Sequence, residues 1–155
     1  MKNESEACTI LKNSLMIQGD LAYKIPDPTG QFINTIPRPF DLFGSVRGLP
    51  WYCEVKFLNK LQSFDLQRIE DHQIQNLLDL KEKTVGALCW IVLAVKVARG
   101  DSRFYIFKDI LDIAERRKNK RNYLKKELET LTYYTVRKNL IEGDFCDISV
   151  PMRLL

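Results

Sequence analysis

The stretch VGALCWIVLAVKVA, residues 85–98, limits the possible folds more than any other part of the chain. Its apolar run is nearly unbroken, the pattern of a strand covered on both faces. Lys96 interrupts it, and it falls short of the about 20 apolar residues that a membrane helix needs. A strand buried on both sides requires a layer above and a layer below, and helices are the natural cover.

The flanking segments supply those layers. RFYIF (103–107), reached through the turn RGDS (99–102), reads as the antiparallel partner of that strand. Upstream, Ala7, Cys8, Ile10, Leu11, Leu15 and Ile17 give residues 4–18 one broad apolar helix face, stopped at Gly19. LAYKI (21–25), FDLFGSV (40–46) and PWYCEVKFL (50–58) read as strands, the last two joined through Arg47-Gly48. Turn residues PDPTG (26–30), then Pro37 and Pro39, separate the first strand from the second. A helix is expected from Leu66 to Lys83 with Leu66, Ile69, Leu77 and Leu80 inward, and others near 108–117 and 121–131. The tail from Thr132 is mixed, with FCDISV (145–150) as a last short strand. The order α-β-β-β-α-β-β-α predicts an α/β fold, a central mixed β-sheet flanked by helices. One domain spanning 1–155 is expected, with 108–155 as a helical and mixed C-terminal extension.

Composition excludes several function classes. With 45% hydrophobic and 28% charged residues the chain is an ordinary soluble protein, and its net charge of +4 allows a nucleic-acid partner without requiring one. Four cysteines lie far apart, with no CxxC pair and a single histidine, so zinc-ligand spacing is absent. Cys53 and Cys89 fall in apolar runs and are expected as buried free thiols, as in a reducing compartment. MKNESEACTILKN lacks the apolar core of a signal peptide, and a cytoplasmic protein is expected. ERRKNKR (115–121) carries Arg116, Arg117, Lys118, Lys120 and Arg121, and reads either as a solvated face or as a surface tracking phosphates. Trp51, Tyr52, Trp90, Phe104, Tyr105 and Phe107 lie in apolar strands and are expected to pack the core rather than stack on bases.

Charges inside strands need another explanation. On a strand, Glu54 and Lys56 share one face while Cys53, Val55 and Phe57 take the other. Asp41, at the start of the neighbouring strand, can bring its carboxylate close to that of Glu54. Two carboxylates held together repel unless one stays protonated or a cation intervenes. Hard oxygen donors suit magnesium or manganese, and an adjacent ammonium can stabilise an anion or help deprotonate a water. That composition is the one a metal-dependent phosphodiesterase uses. Taken alone, a Glu-x-Lys triplet is far more often a solvent-facing ion pair, and its spacing does not carry the claim.

In combination the residues go further. Asp41, a glycine-containing hairpin and Glu54-Val55-Lys56 resemble the PD-(D/E)xK nuclease motif. FDLQRIEDHQIQNL (64–77), with its His72-Gln73 pair, is similar to the segment that follows that motif in RecU-type Holliday junction resolvases, the penicillin-binding-protein-related factor A proteins. The resemblance covers roughly residues 4–107 and implies a restriction-endonuclease-like core, α-β-β-β-α-β. It also implies a magnesium-dependent DNA endonuclease, with manganese as substitute, working on branched DNA in recombination or repair as a homodimer. By that resemblance Asp41, Glu54 and the Val55 carbonyl ligate the metal, Lys56 positions or activates water, and Gln73 faces the metal centre. A glutamate on the first helix adds a ligand. The family spacing and the apolar face of the helix favour Glu4 over Glu6.

His72 points about 100° away from Gln73 on a helix and is expected to be structural. Lys24, Arg38, Arg116, Arg117 and Lys118 are the candidate DNA contacts. Two departures from the family stand out. The stretch 28–40, where the resolvases carry a long stalk, is short and proline-bearing, and Phe40 rather than proline precedes Asp41. A same-fold nuclease for flaps, single strands or duplex is therefore the rival, and a non-catalytic DNA-binding module a more distant one. The size also fits a phage or mobile-element origin, with work in a bacterial cytoplasm near the nucleoid.

Overall fold

The computed structural model describes residues 1–26, 38–137 and 144–146. Helix α1 (Glu4–Ile17) leads into β1 (Leu21–Lys24), β2 (Leu42–Val46) and β3 (Leu49–Leu58). A 3₁₀ turn (Leu66–Arg68) precedes α2 (Asp71–Lys83), followed by β4 (Leu88–Ala98) and β5 (Asp101–Phe107). Helices α3 (Ile110–Lys118) and α4 (Lys125–Thr130) and strands β6 (Tyr134–Arg137) and β7 (Phe145–Cys146) complete the order. The fold is α/β, as expected, and its first six elements, the 3₁₀ turn aside, run α-β-β-β-α-β.

The strands stack in chain order, β1 to β7. Among the described residues every strand pair is antiparallel except β3 and β4, which run parallel with Glu54 beside Ile91 and Lys56 beside Leu93. A parallel neighbour demands a crossover, and α2 is that crossover. Alternation along β3 and β4 divides the core in two. Trp51, Cys53, Val55, Trp90, Val92 and Ala94 face α1, whose Ala7, Cys8, Leu11 and Leu15 close that layer. Leu58, Cys89, Ile91, Leu93 and Val95 face the other way, under Leu66, Ile74, Leu77, Ile110 and Ile113. Trp51 and Trp90 meet edge to face, ring centres 5.5 Å apart. The aromatic residues expected in the core are there, with Tyr52 half-buried.

Several boundaries differ from those the sequence suggests. The helix expected from Leu66 to Lys83 breaks at Ile69-Glu70, both extended, because Glu70 caps the start of α2. The apolar stretch from Val85 does not start a strand. Gly86 turns the chain at φ 72°, and Val85 is 97% exposed, so β4 opens only at Leu88. Strand β6 was not expected from sequence. Of the strand expected at 145–150, residues 147–150 lie outside the described part, as do most of 28–40. Among the described residues no helix is long and apolar enough to cross a membrane.

Candidate metal centre

Strand β2 stops pairing with β3 at Leu42–Cys53. One residue earlier, Asp41 still donates its backbone N–H to the Cys53 carbonyl at 3.0 Å. Past that point β3 has β4 on one side only, through Leu58. The Val55 N–H would lack a partner on the open side, and the Asp41 side chain supplies one, with Oδ2 accepting it at 2.9 Å. The carboxylate is thereby fixed where the two strands part. Its other oxygen, Oδ1, lies 2.8 Å from the Arg38 guanidinium. Asp41 is 2% exposed.

Glu54 and Lys56 leave β3 on the side that carries α2. Glu54 is 1% exposed and Lys56 8%, so the pair is no solvent-facing ornament of the sheet. Lys56 Nζ donates to Glu54 Oε1 at 2.7 Å, and Gln73 Nε2 donates to the same oxygen at 2.6 Å. Gln73 is itself held: its Oε1 accepts the Glu70 N–H at 3.0 Å, one half of a capping box at the start of α2. The glutamine thus reaches Glu54 directly, where the resemblance implied only that it faces the metal centre. Glu54 Oε2 is buried and has no hydrogen-bond partner.

Burial pushes the Glu54 carboxyl up to about 8, the Asp41 charge adds to the rise, and Lys56 opposes it. Glu4 opens α1 just after Asn3, whose side chain accepts the Glu6 N–H at 2.9 Å. The Glu4 carboxyl is also raised, first by burial; Lys56 pulls it down and Asp41 pushes it up, so it lies within reach of the same charges. Glu6 turns elsewhere, accepting from the Lys2 N–H. Cys8 and Cys53 sit beneath these groups as free thiols raised by burial, and Cys89 is a free thiol in the other core.

An orphaned buried carboxylate oxygen costs free energy that a cation would recover. Two carboxylates and an adjacent carbonyl are donors that suit magnesium, which keeps several waters and needs only one or two carboxylates. The residues present fit such an ion. Among the described residues no three His, Cys, Asp or Glu side chains form a ready-made cluster, so Glu4 does not complete a closed cage here.

The other candidates sit apart. His72 Nε2 lies 3.1 Å from the Arg38 carbonyl and Nδ1 3.1 Å from Glu70, pinning the start of α2 to the segment that enters β2. Its ring makes no contact with Glu54 among these. Lys24 donates to Ser5 Oγ at 2.8 Å. Arg116 pairs with Asp112 at 3.0 Å and Glu127 at 3.5 Å and lies over the Tyr123 ring, while Arg117 pairs with Asp71. Lys118 is exposed. What sequence reasoning did not anticipate is the Arg38–Asp41 pair and the capping role of Gln73. The second had a signal, since Glu70 and Gln73 stand at capping-box spacing.

No protein-family model matches the chain, and no curated protein is significantly similar to it. Among solved structures it is similar to Hjc, a Holliday junction resolvase from the archaeal hyperthermophile Archaeoglobus fulgidus, at 20% identity and a TM-score of 0.37. The similarity covers 59% of this chain and 66% of that one, just under two thirds of the resolvase's length. A likeness this slight leaves the assignment of function to the chain's own residues.

Proposed function

We propose that the protein is a divalent-metal-dependent DNA endonuclease of the PD-(D/E)xK type, with a four-way junction as the preferred substrate. One observation carries the reading: Asp41, Glu54 and Lys56 are buried together where β2 and β3 part, and Glu54 Oε2 lacks any partner. A structural ion pair has no need of that unfilled oxygen. Asp41, Glu54 and the Val55 carbonyl would hold magnesium or manganese, with Glu4 adding a ligand directly or through water. The bound ion would lower the pKa of a water and neutralise charge on the phosphate.

The chain's own groups do the rest. Gln73 holds Glu54 Oε1 and leaves Oε2 without a partner, so that Oε2 would be available to an ion. Lys56, whose ammonium is already held at Glu54, orients the attacking water and stabilises the charge that builds on phosphorus-bound oxygens. Lys24, Arg38 and the basic end of α3 would contact the DNA backbone. Two sites are needed for paired nicks, so the working unit would be a homodimer, in a bacterial cytoplasm.

Cleavage of matched four-way, flap, single-stranded and duplex DNA, with and without magnesium and with Asp41→Asn, tests this. The expected result is magnesium-dependent, symmetric nicking of the junction that the substitution abolishes. Cleavage confined to the other substrates would keep the chemistry and replace the substrate. Tight DNA binding with no cleavage by either protein would make it a binding module.

A further inference from the structure

Resting on the metal site just proposed, the geometry points to Arg38 as a stand-in for the metal: its guanidinium holds Asp41 until the ion arrives and is then passed to the phosphate. It would be a positioning residue for metal and substrate rather than a ligand.

The two carboxylates are neutralised in different ways. Glu54 keeps Lys56 on Oε1 and retains Oε2 without a partner. Asp41 has both oxygens already engaged, because Oδ2 accepts the Val55 N–H at 2.9 Å and Oδ1 takes Arg38 at 2.8 Å. The Val55 contact is part of the sheet and cannot leave without unmaking the fork. The Arg38 contact can. Its side chain is 27% exposed beside an Asp41 side chain that is 3% exposed, so the guanidinium comes in from solvent over a buried oxygen. Meanwhile the Arg38 backbone is held by His72 at its carbonyl, which keeps the side chain at the mouth of the site after it lets go. A cation binding Asp41 through Oδ1 must displace Arg38 or share the oxygen with it.

Charge accounting says where the guanidinium goes. With the ion bound and all three carboxyls deprotonated, Asp41, Glu54 and Glu4 bring three negative charges, and Lys56 and Arg38 two positive ones. The divalent ion then leaves the site with a single net positive charge. One phosphodiester restores neutrality, and a planar guanidinium matches its oxygens. Metal alone is therefore opposed by Arg38, and metal with DNA is not.

The test is titration of the intact protein with manganese alone, free ion being read from its electron paramagnetic resonance signal. Wild type, Arg38→Met, Arg38→Gln and Asp41→Asn are compared, each checked for fold by circular dichroism. Removing the competing charge is expected to tighten manganese binding by at least about tenfold in Arg38→Met, the scale of a unit charge a few ångströms away in a partly buried site. Arg38→Gln, which keeps a polar group against Asp41, should move the same way and serves if the methionine variant is unstable. Asp41→Asn should lose the binding. An arginine with a merely structural role would leave the affinity unchanged or weaken it on removal. That result, with Asp41-dependent binding in wild type, overturns this inference and leaves the metal site standing. Absence of manganese binding in all four proteins overturns both.

Discussion

Glu54 links the site to pH. Its carboxyl is raised to about 8 by burial and by Asp41, against the usual carboxylate range near 4.5 in the unfolded chain. Between those values the folded protein holds a proton that the unfolded chain has released, so stability falls as pH rises through the window. Metal-free protein should therefore melt at progressively lower temperature from about pH 5 to pH 8. Glu54→Gln should flatten that slope, as thermal denaturation at a series of pH values would show. Gln73 makes a separate claim. Gln73→Ala removes both the Glu54 contact and the capping hydrogen bond to Glu70, at a cost of about 1–2 kcal/mol measurable by urea unfolding. Asp41, Glu54 and Lys56 were legible in sequence because charges inside a strand-forming segment conflict with burial unless they serve each other. The Arg38–Asp41 pair was not, because nothing in the local pattern says which way an arginine three residues upstream will point.

At the scale of the element, the tightest constraint is the approach of β1 to β2. A Cβ added to Gly44 would lie 1.9 Å from the Leu21 carbonyl oxygen, which is backbone and cannot turn aside. Gly44→Ala is expected to cost about 3 kcal/mol, read as a lower urea midpoint with an unchanged slope, and to loosen the fork that holds Asp41. Strand-forming residues either side of the short Arg47-Gly48 turn made β2 and β3 legible, and continuous apolar character made β4 so. Two kinds of feature escaped. The break before α2 contains no proline or glycine, only a capping residue. Strand β6 is four residues long and exists because β5 offers it an edge, with Phe104 and Arg103 as its partners. Long-range pairing of that kind leaves no local mark.

Across the whole molecule, the basic run 115–121 divides by partner. Arg116 is tied to Asp112, Glu127 and Tyr123, whereas Lys118 points into solvent at the end of α3. Arg116→Ala should lower thermal stability by about 1–2 kcal/mol, since it removes packing as well as charge. Lys118→Ala should leave stability alone and, if α3 lies on DNA, reduce the salt slope of binding by about one, measured by anisotropy across a salt series. Strand order in the sheet copies chain order, with β3–α2–β4 the one parallel step among the described pairs. All the residues assigned here to metal, water and their support therefore lie before the exposed turn at Arg99-Gly100. Among the described residues after that turn, α3 braces the start of α2 through Arg117 and Asp71, and β5 and β6 extend the sheet away from the fork. On the proposed reading, substitutions after the turn would retune how α3 meets a partner and leave the groups placed around the metal untouched.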